Sequence, residues 1–154
     1  MPKILAVPHF PQETDTGCLP ACAQMVLAYL GFQRSQAELA RLMGTHSQTG
    51  TLYSHITRLH SNQIAVEYGK ASELNDLVNW LNNDLPVIAF VQMGELPYAR
   101  DHWTQHAVVI AGVDQDAVYV RDPAVSLPAL SVPHGDFLLA WEEMSLAYAV
   151  IAKR

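Results

Sequence analysis

The chain has 154 residues, 50% of them hydrophobic and 16% charged, and its formal net charge is −6. This size and hydrophobic content predict one domain over residues 1–154 with an ordinary core. The nine basic residues form no run, which argues against a nucleic-acid partner. No apolar run approaches the roughly 18 residues of a membrane helix, so no membrane span is expected.

The N-terminal apolar stretch is too short for a signal peptide. We therefore expect a cytoplasmic protein with reduced thiols, although a chain trimmed of its leader would look the same. The sequence sets no oligomeric state.

The first half of the chain has mainly helical patterns. Gly31 is placed to end the first helix, and Ser35 with Glu38 forms a capping box for the second. The pattern predicts an edge strand at 4–7, helices at 18–30 and 35–44, and a strand at 64–68. Between 44 and 64 it predicts a third helix, whose buried stripe is Leu52, Ile56 and Leu59. A fourth helix is predicted to be capped by Ser72 and to carry Leu74, Leu77, Val78 and Leu81 on its apolar face.

The second half of the chain has mainly strand patterns. Residues 86–91 form a continuous apolar run, as in strands that are buried on both faces. Further strands are predicted at 106–113, 118–122, 129–132 and 148–152, with a helix at 136–144. Helices followed by antiparallel strands predict an α+β fold.

A cysteine stands where the first predicted helix begins. Gly17 permits a tight turn, and Pro20 suits the first turn of a helix, so Cys18 falls at the junction. Unpaired N–H groups and the positive end of the helix dipole favour a thiolate there, and with the Gln12 amide they are placed to hold an oxyanion. Cys18 is thus a candidate nucleophile, although a free cysteine is more often a small buried hydrophobe.

The second cysteine, Cys22, follows Cys18 by four residues, which puts both on one helix face. Their side chains would run parallel, a poor geometry for a disulfide. We expect Cys22 to pack in the core; a redox pair is the alternative, but the spacing is not the CxxC of oxidoreductases.

A histidine and an aspartate lie at the same end of a predicted two-stranded ribbon. If Val113 pairs with Ala117, Asp122 shares a face with His106 and the two side chains can meet. If Asp114 pairs with Ala117, they face opposite sides. The turn has no Asn-Gly or Asp-Gly signal, so it does not choose between the registers.

A thiol, an imidazole and a carboxylate are together the groups that nucleophilic acyl transfer requires. The imidazole takes the thiol proton and later protonates the leaving amine, while the carboxylate orients the imidazole. A metal site built from His102, His106 and Cys18 is the alternative. It is not favoured, because an HxxxH pair suits a helix and these residues are predicted in a loop and strand.

The chain resembles the papain-like cysteine peptidases in three motifs: Gln12-x5-Cys18-x-Pro-Ala-Cys22, His106-Ala-Val-Val-Ile-Ala-Gly and Arg121-Asp122-Pro123. Within that group it is most similar to the bacteriocin leader-processing peptidases, which cleave after a double glycine, and to their stand-alone relatives. The order of glutamine, cysteine, histidine and aspartate matches, and so does the step from glutamine to cysteine.

The resemblance implies a papain-like fold, with a helical N-terminal half packed on a C-terminal antiparallel sheet. It also implies a role for each motif residue: Cys18 as nucleophile, His106 as general base and acid, Asp122 as its orienter, and Gln12 with the Cys18 N–H as the oxyanion hole. The implied activity is peptide-bond hydrolysis of a peptide or protein through an acyl-enzyme, without metal or cofactor.

One residue departs from the family pattern. Relatives usually have Asp-Cys-Gly-Pro, whereas this chain has Gly17-Cys18-Leu19-Pro20. We expect Leu19 to narrow or reshape the approach to the thiol, which bears on the substrate more than on the catalytic role. The leader-processing members are fused to transporters, and this sequence has no ATP-binding motif, so their substrate is not carried over.

Three functional hypotheses remain open. The first is a cysteine peptidase. The second is another thiol-dependent acyl transfer, such as transpeptidation or deamidation. The third is a non-catalytic peptide-binding module on the same fold.

The loop with Tyr98, Trp103 and Gln105 is placed to form a wall of the cleft, although Trp103 suits the core equally well.

Overall fold

One antiparallel sheet runs through the computed structural model, which describes residues 3–154. Within that range the strands are β1 (Ile64–Gly69), β2 (Val87–Gln92), β3 (Gln105–Val113), β4 (Ala117–Arg121), β5 (Leu130–Pro133) and β6 (Tyr148–Lys153). They lie in the order β1-β6-β2-β3-β4-β5. The helices are α1 (Cys18–Tyr29), α2 (Gln36–Met43), α3 (Leu74–Asn82) and α4 (His134–Glu142), with 3-10 segments at Tyr53–Leu59 and Met93–Glu95.

The central strands β2 and β3 are buried on both faces. Each residue from Val87 to Val91 is at most 1% exposed, as the continuous apolar run predicts. Helix α1 packs against β3, and α3 and α4 pack against β2. His106, near the start of β3, and Asp122, just after β4, lie at one end of this buried sheet centre.

The predicted α+β class is confirmed, and so is the strand predicted at 64–68, which is β1, the edge strand next to β6. Ser35 accepts a hydrogen bond from the Glu38 N–H at 3.0 Å, and Gly44 ends α2 in the left-handed region, as the pattern indicates. No helix among residues 3–154 is long and apolar enough to cross a membrane.

The predicted strand at 4–7 is wrong. The Leu5 N–H does bond to the Ala111 carbonyl at 2.8 Å, but the Val7 N–H turns back to the Leu5 carbonyl at 2.8 Å. This tight turn interrupts any ladder along β3.

The third and fourth predicted helices also differ from expectation. The third is the 3-10 segment Tyr53–Leu59; Ile56 and Leu59 lie one 3-10 turn apart and are buried, whereas Leu52 precedes the segment and is 68% exposed. Helix α3 is capped by Glu73 and not by Ser72, whose hydroxyl donates to Asp76 at 3.0 Å.

The β3–β4 hairpin begins in the register that would separate the two candidate site residues. At the turn, the Asp114 N–H donates to the Ala117 carbonyl at 3.0 Å. Continued without interruption, this pairing would place His106 and Asp122 on opposite faces of the ribbon.

A β-bulge corrects the register before the strands reach the site. Ala111 is the extra residue between Ile110 and Gly112, where the pairing shifts. Beyond the bulge Val109 pairs with Arg121, so the next residue, Asp122, comes to the face that carries His106.

The N-terminal segment packs closely over the bulge. A side chain at Gly112 would place its Cβ 2.8 Å from the Lys3 carbonyl oxygen and 3.2 Å from Ile4 Cγ1. The absence of a side chain at Gly112 therefore permits the close approach of the two backbones.

We expect Gly112→Ala to lower the free energy of unfolding by about 1–3 kcal/mol, because the methyl group would force Lys3 and Ile4 away from the bulge. Urea unfolding measures the change. Gly135→Ala is the matched control: its Cβ would meet nothing within 4 Å, and alanine is the better helix former inside α4, so stability should be unchanged or higher. Wild-type stability in Gly112→Ala would contradict the close packing of Lys3 and Ile4 on the bulge.

Candidate active site

Cys18 is the first residue of α1, and no side chain caps the N-terminus of this helix. The cap residue Gly17 has no side chain to occupy the first-turn N–H groups, and no acidic side chain lies in that turn. These groups have no acceptors inside the helix. Cys18 is half-buried and lines a cleft together with Leu19, the next residue of the helix.

Cys22 lies one helical turn further along and is fully buried in the core, as predicted. Burial raises the pKa of its thiol well above the ordinary value. Both cysteines are free thiols in the structure. The two cysteines therefore differ in accessibility: Cys18 lines the cleft, whereas Cys22 is surrounded by core side chains.

A buried pair joins β3 to the end of β4. His106 Nε2 lies 2.7 Å from Asp122 Oδ1, and the two side chains are 5% and 0% exposed. Oδ1 also accepts the Ala124 N–H at 2.8 Å, and Oδ2 accepts the Tyr98 hydroxyl at 2.5 Å. Both oxygens of the buried carboxylate therefore have partners.

The charges of this pair follow from its contacts. Burial lowers the pKa of His106, but hydrogen bonds to Asp122 and Cys18 outweigh it and raise the pKa to about 9. Burial raises the pKa of Asp122, but bonds from His106, Tyr98 and the Ala124 N–H keep it below its usual value. At neutral pH the pair is therefore an imidazolium and a carboxylate.

Cys18 and His106 line the same cleft. Cys18 lies close enough to His106 to contribute to the raised pKa of the imidazole. Because Nε2 is held by Asp122, Nδ1 is the ring nitrogen available to the sulfur. The structure thus brings three predicted site residues together: Asp122 is hydrogen-bonded to His106, and Cys18 lies beside His106 on the cleft.

Gln12, the fourth predicted site residue, lines the same cleft. Its backbone N–H bonds to the Pro123 carbonyl at 2.8 Å, next to Asp122. Its Nε2 donates to the Thr14 and Asp15 carbonyls at 2.9 and 3.2 Å. The amide is therefore at the site, but its N–H groups are directed to the loop, and an oxyanion role requires it to turn toward Cys18.

A glutamine that sequence reasoning missed holds this loop in place. Gln36 is 5% exposed, accepts the Glu13 N–H at 3.0 Å and donates to the Pro11 carbonyl at 2.8 Å. It therefore fixes the residues on either side of Gln12. The sequence shows Gln36 only as the first residue of α2, and no local pattern indicates this long-range contact.

Two further neighbours of Asp122 were missed. Tyr98 was predicted in the cleft wall, but its hydroxyl bonds to Asp122 instead. His9 Nε2 bonds to the Asp122 backbone carbonyl at 2.8 Å, whereas the sequence shows no pattern around His9. Both contacts join residues that are far apart in the chain, so spacing does not reveal them.

The cleft has a volume of about 340 Å³. Leu19 belongs to its wall but is 1% exposed, so its bulk lies mostly in the core and not in the opening. Gln105 lines the cleft as predicted, whereas Trp103 lies over Gly94 and is 62% exposed. The remaining lining is mainly polar and uncharged: Thr16, Gln48, Thr49, Gly50, Thr51 and Thr104, with Asp15, Tyr53, Met93 and Ala124.

A metal site, the alternative considered from the sequence, would require the side chains of His102, His106 and Cys18 to lie together. Among residues 3–154, no three His, Cys, Asp or Glu side chains are grouped as metal ligands would be. His102 is exposed, and its backbone N–H bonds to the Ala99 carbonyl at 2.9 Å in a turn.

The sequence pattern of the Peptidase C39-like family matches residues 4–148. The chain belongs to this family. Membership confirms the resemblance that the glutamine, cysteine, histidine and aspartate motifs predict. Proteins with similar sequences include an uncharacterized protein of Methanothermobacter marburgensis, 33% identical over 114 residues (74% of this chain and 70% of that protein). An uncharacterized protein of Methanothermobacter thermautotrophicus is 34% identical over 114 residues, with the same coverage.

Solved structures show the same fold. A Bacillus anthracis protein named as a C39-like peptidase has a TM-score of 0.79 at 21% identity, over 100% of this chain and 98% of that one. The peptidase domain of Streptococcus ComA, a bifunctional ABC transporter of a quorum-sensing pathway, has a TM-score of 0.69 at 23% identity, over 96% of both chains. A double-glycine-motif protease from an AMS/PCAT transporter, in complex with its leader peptide, has a TM-score of 0.61 at 16% identity, over 99% and 96%.

Proposed function

We propose that this Peptidase C39-like protein is a cysteine peptidase that hydrolyses peptide bonds through a covalent acyl-enzyme. The observation that carries the proposal is the buried hydrogen bond between Asp122 and His106, with Cys18 beside His106 on the wall of the same cleft. It matches the orienter, base and nucleophile that acyl transfer requires.

In the proposed reaction, the Cys18 thiolate attacks the carbonyl carbon of the scissile bond. The resulting oxyanion is held by the Cys18 N–H and by the Gln12 amide after it turns inward. The His106 imidazolium gives its Nδ1 proton to the leaving amine, the C–N bond breaks, and a thioester remains on Cys18. Water then attacks the thioester while His106 accepts its proton; the C–S bond breaks, which releases the acid product and restores the Cys18 thiolate beside the His106 imidazolium.

A peptide suits this cleft better than a small amide. The cleft adjoins a second hollow of about 470 Å³, to whose lining Gln12, Asp15 and Ala124 also belong. Together they have room for residues on both sides of a scissile bond. A leader peptide bound to one of the structural neighbours also supports an extended peptide as substrate.

We expect iodoacetamide to label Cys18 at least about 100-fold faster than Cys22 and to abolish cleavage of a peptide library at the rate of Cys18 labelling. The reason is that Cys22 is 0% exposed with a raised pKa, whereas Cys18 lies on the cleft beside a cationic imidazole. Mass spectrometry of the labelled protein and of new peptide N-termini measures both.

The same experiment separates the alternatives. Equal, slow labelling of the two cysteines would contradict the proposed nucleophile. Products that appear only with an added amine acceptor would indicate transpeptidation, and release of ammonia without a new N-terminus would indicate deamidation. Peptide binding without any product, before and after labelling, would indicate a non-catalytic module.

A further inference from the structure

Tyr98 reaches Asp122 from a segment that is anchored on both sides. Leu96 and Ala99 are 0% and 3% exposed, and successive turns link the chain here: the Leu96 N–H bonds to the Met93 carbonyl, and the Ala99 N–H to the Leu96 carbonyl, both at 3.0 Å. These anchors hold the Tyr98 hydroxyl 2.5 Å from Asp122 Oδ2.

We propose that Tyr98 is a positioning residue, which holds the Asp122 carboxylate in plane and limits how strongly that carboxylate attracts the His106 proton. The inference rests on the proposed peptidase function. It adds a group to the hydrogen-bonded pair of Asp122 and His106, one that touches neither substrate nor sulfur: Tyr98 is not among the residues that line the cleft.

The reason lies in how one carboxylate shares its charge. Each hydrogen bond to an ionised carboxylate draws charge toward that oxygen and weakens the other oxygen as an acceptor. With Tyr98 on Oδ2, less charge remains on Oδ1 for His106. His106 then stays acidic enough to give its proton to the leaving amine, a step that a more basic imidazole would slow.

Tyr98 is suited to this part because it remains a donor. Burial and the neighbouring Asp122 raise the pKa of its phenol far above the usual value, so the hydroxyl stays protonated at all pH values at which the site works. A water molecule in its place would be mobile, whereas the tyrosine is fixed by its own ring and backbone.

The other groups that face Asp122 come from three directions. Helix α1 brings a buried thiol, β3 brings the imidazole, and the N-terminal segment brings a second imidazole to the backbone carbonyl, so the titratable neighbours are Cys22, His106 and His9. Of these, Cys22 has its pKa raised by burial and stays neutral near pH 7. The hydroxyl of Tyr98 is the contact on Oδ2, so its removal changes the carboxylate and leaves these neighbours in place.

Tyr98→Phe removes the hydroxyl and keeps the ring. We expect kcat for peptide amides to fall about tenfold with KM unchanged, since a hydrogen bond to a charged group is on the order of a tenfold effect. Activated esters, whose leaving groups need no proton, should lose less than about threefold. A purely structural defect would lower the two rates by the same factor.

The ion pair itself can be measured without activity. NMR titration of His106 in Cys18→Ala, with and without Tyr98→Phe, should show the histidine pKa rising by about half a unit to one unit when the hydroxyl is lost. Replacement of Tyr98 by 3-fluorotyrosine, a stronger donor of the same shape, should move the pKa in the opposite direction.

Tyr119→Phe is the matched control. Its hydroxyl also donates to an aspartate, Asp114, but at the turn of the hairpin and away from the cleft. It should leave the His106 titration and the amide-to-ester ratio as in the wild type. An unchanged His106 titration in both Tyr98 variants, or an unchanged amide-to-ester ratio in a cleaving enzyme, would overturn the inference. A shifted titration in a protein that cleaves nothing would instead overturn the proposed function.

Discussion

Cys18→Ala is expected to reduce peptide cleavage by a factor on the order of 10⁵ to 10⁶, the scale at which loss of a covalent nucleophile acts in related chemistry. The methyl group cannot form the thioester, while the open end of α1 and the cleft remain. The measurement is the rate at which new N-termini appear in a peptide library, read by mass spectrometry.

Cys22→Ala is the control for this variant. It removes the other thiol of the same helix face, one that is fully buried and outside the cleft lining. It should keep wild-type kcat with a small loss of stability. Cleavage by Cys18→Ala at more than about one hundredth of the wild-type rate would show that Cys18 is not the nucleophile.

Asp122→Asn is expected to lower kcat by about 10- to 100-fold, the scale of a hydrogen bond to a charged group. The Ala124 N–H fixes the amide oxygen at the position of Oδ1, so the bond from His106 Nε2 is kept, but the neutral amide no longer stabilises the imidazolium. Asp114→Asn, at the far end of the hairpin, is the control and should leave kcat unchanged.

Asp122→Asn should also change how the free energy of unfolding depends on pH. The folded state holds the His106 proton with a pKa of about 9 against 6.5 when free, so this contribution is complete below pH 6.5 and is lost as pH rises to 9. The loss is on the order of 3 kcal/mol in the wild type. Urea unfolding between pH 6 and 9 should show a shallower decline in Asp122→Asn; parallel curves would contradict the assigned contact.

Much of the fold follows from local pattern. The run at 86–91 is apolar throughout because β2 is buried on both faces, and Ser35 with Glu38 begins α2 because a hydroxyl satisfies an end N–H. Where the predictions fail, a neighbouring contact prevails: Val7 turns back on Leu5, and Glu73 displaces Ser72 as the cap.

The site was only partly within reach of the sequence. Cys18 at a helix start and His106 at a strand start are local features, so they can be placed from the pattern. Their meeting with Asp122 depends on the bulge at Ala111, which no turn signal indicates. Tyr98 and Gln36 act through contacts between distant parts of the chain, and such contacts leave no periodic trace.

The bulge also bears on how this hairpin can vary among family members. His106 and Asp122 are sixteen positions apart. Successive residues of a strand point to opposite faces, so each single insertion or deletion in the turn or the strands moves one of the two side chains to the other face. A second such change restores the pairing. A relative without the extra residue at Ala111 could keep the pair by changing its turn by one residue. The number of residues between the histidine and the aspartate can therefore differ among family members when the loss of a residue from the strands is matched by the loss of one from the turn. Alignments that require a fixed interval would overlook such members.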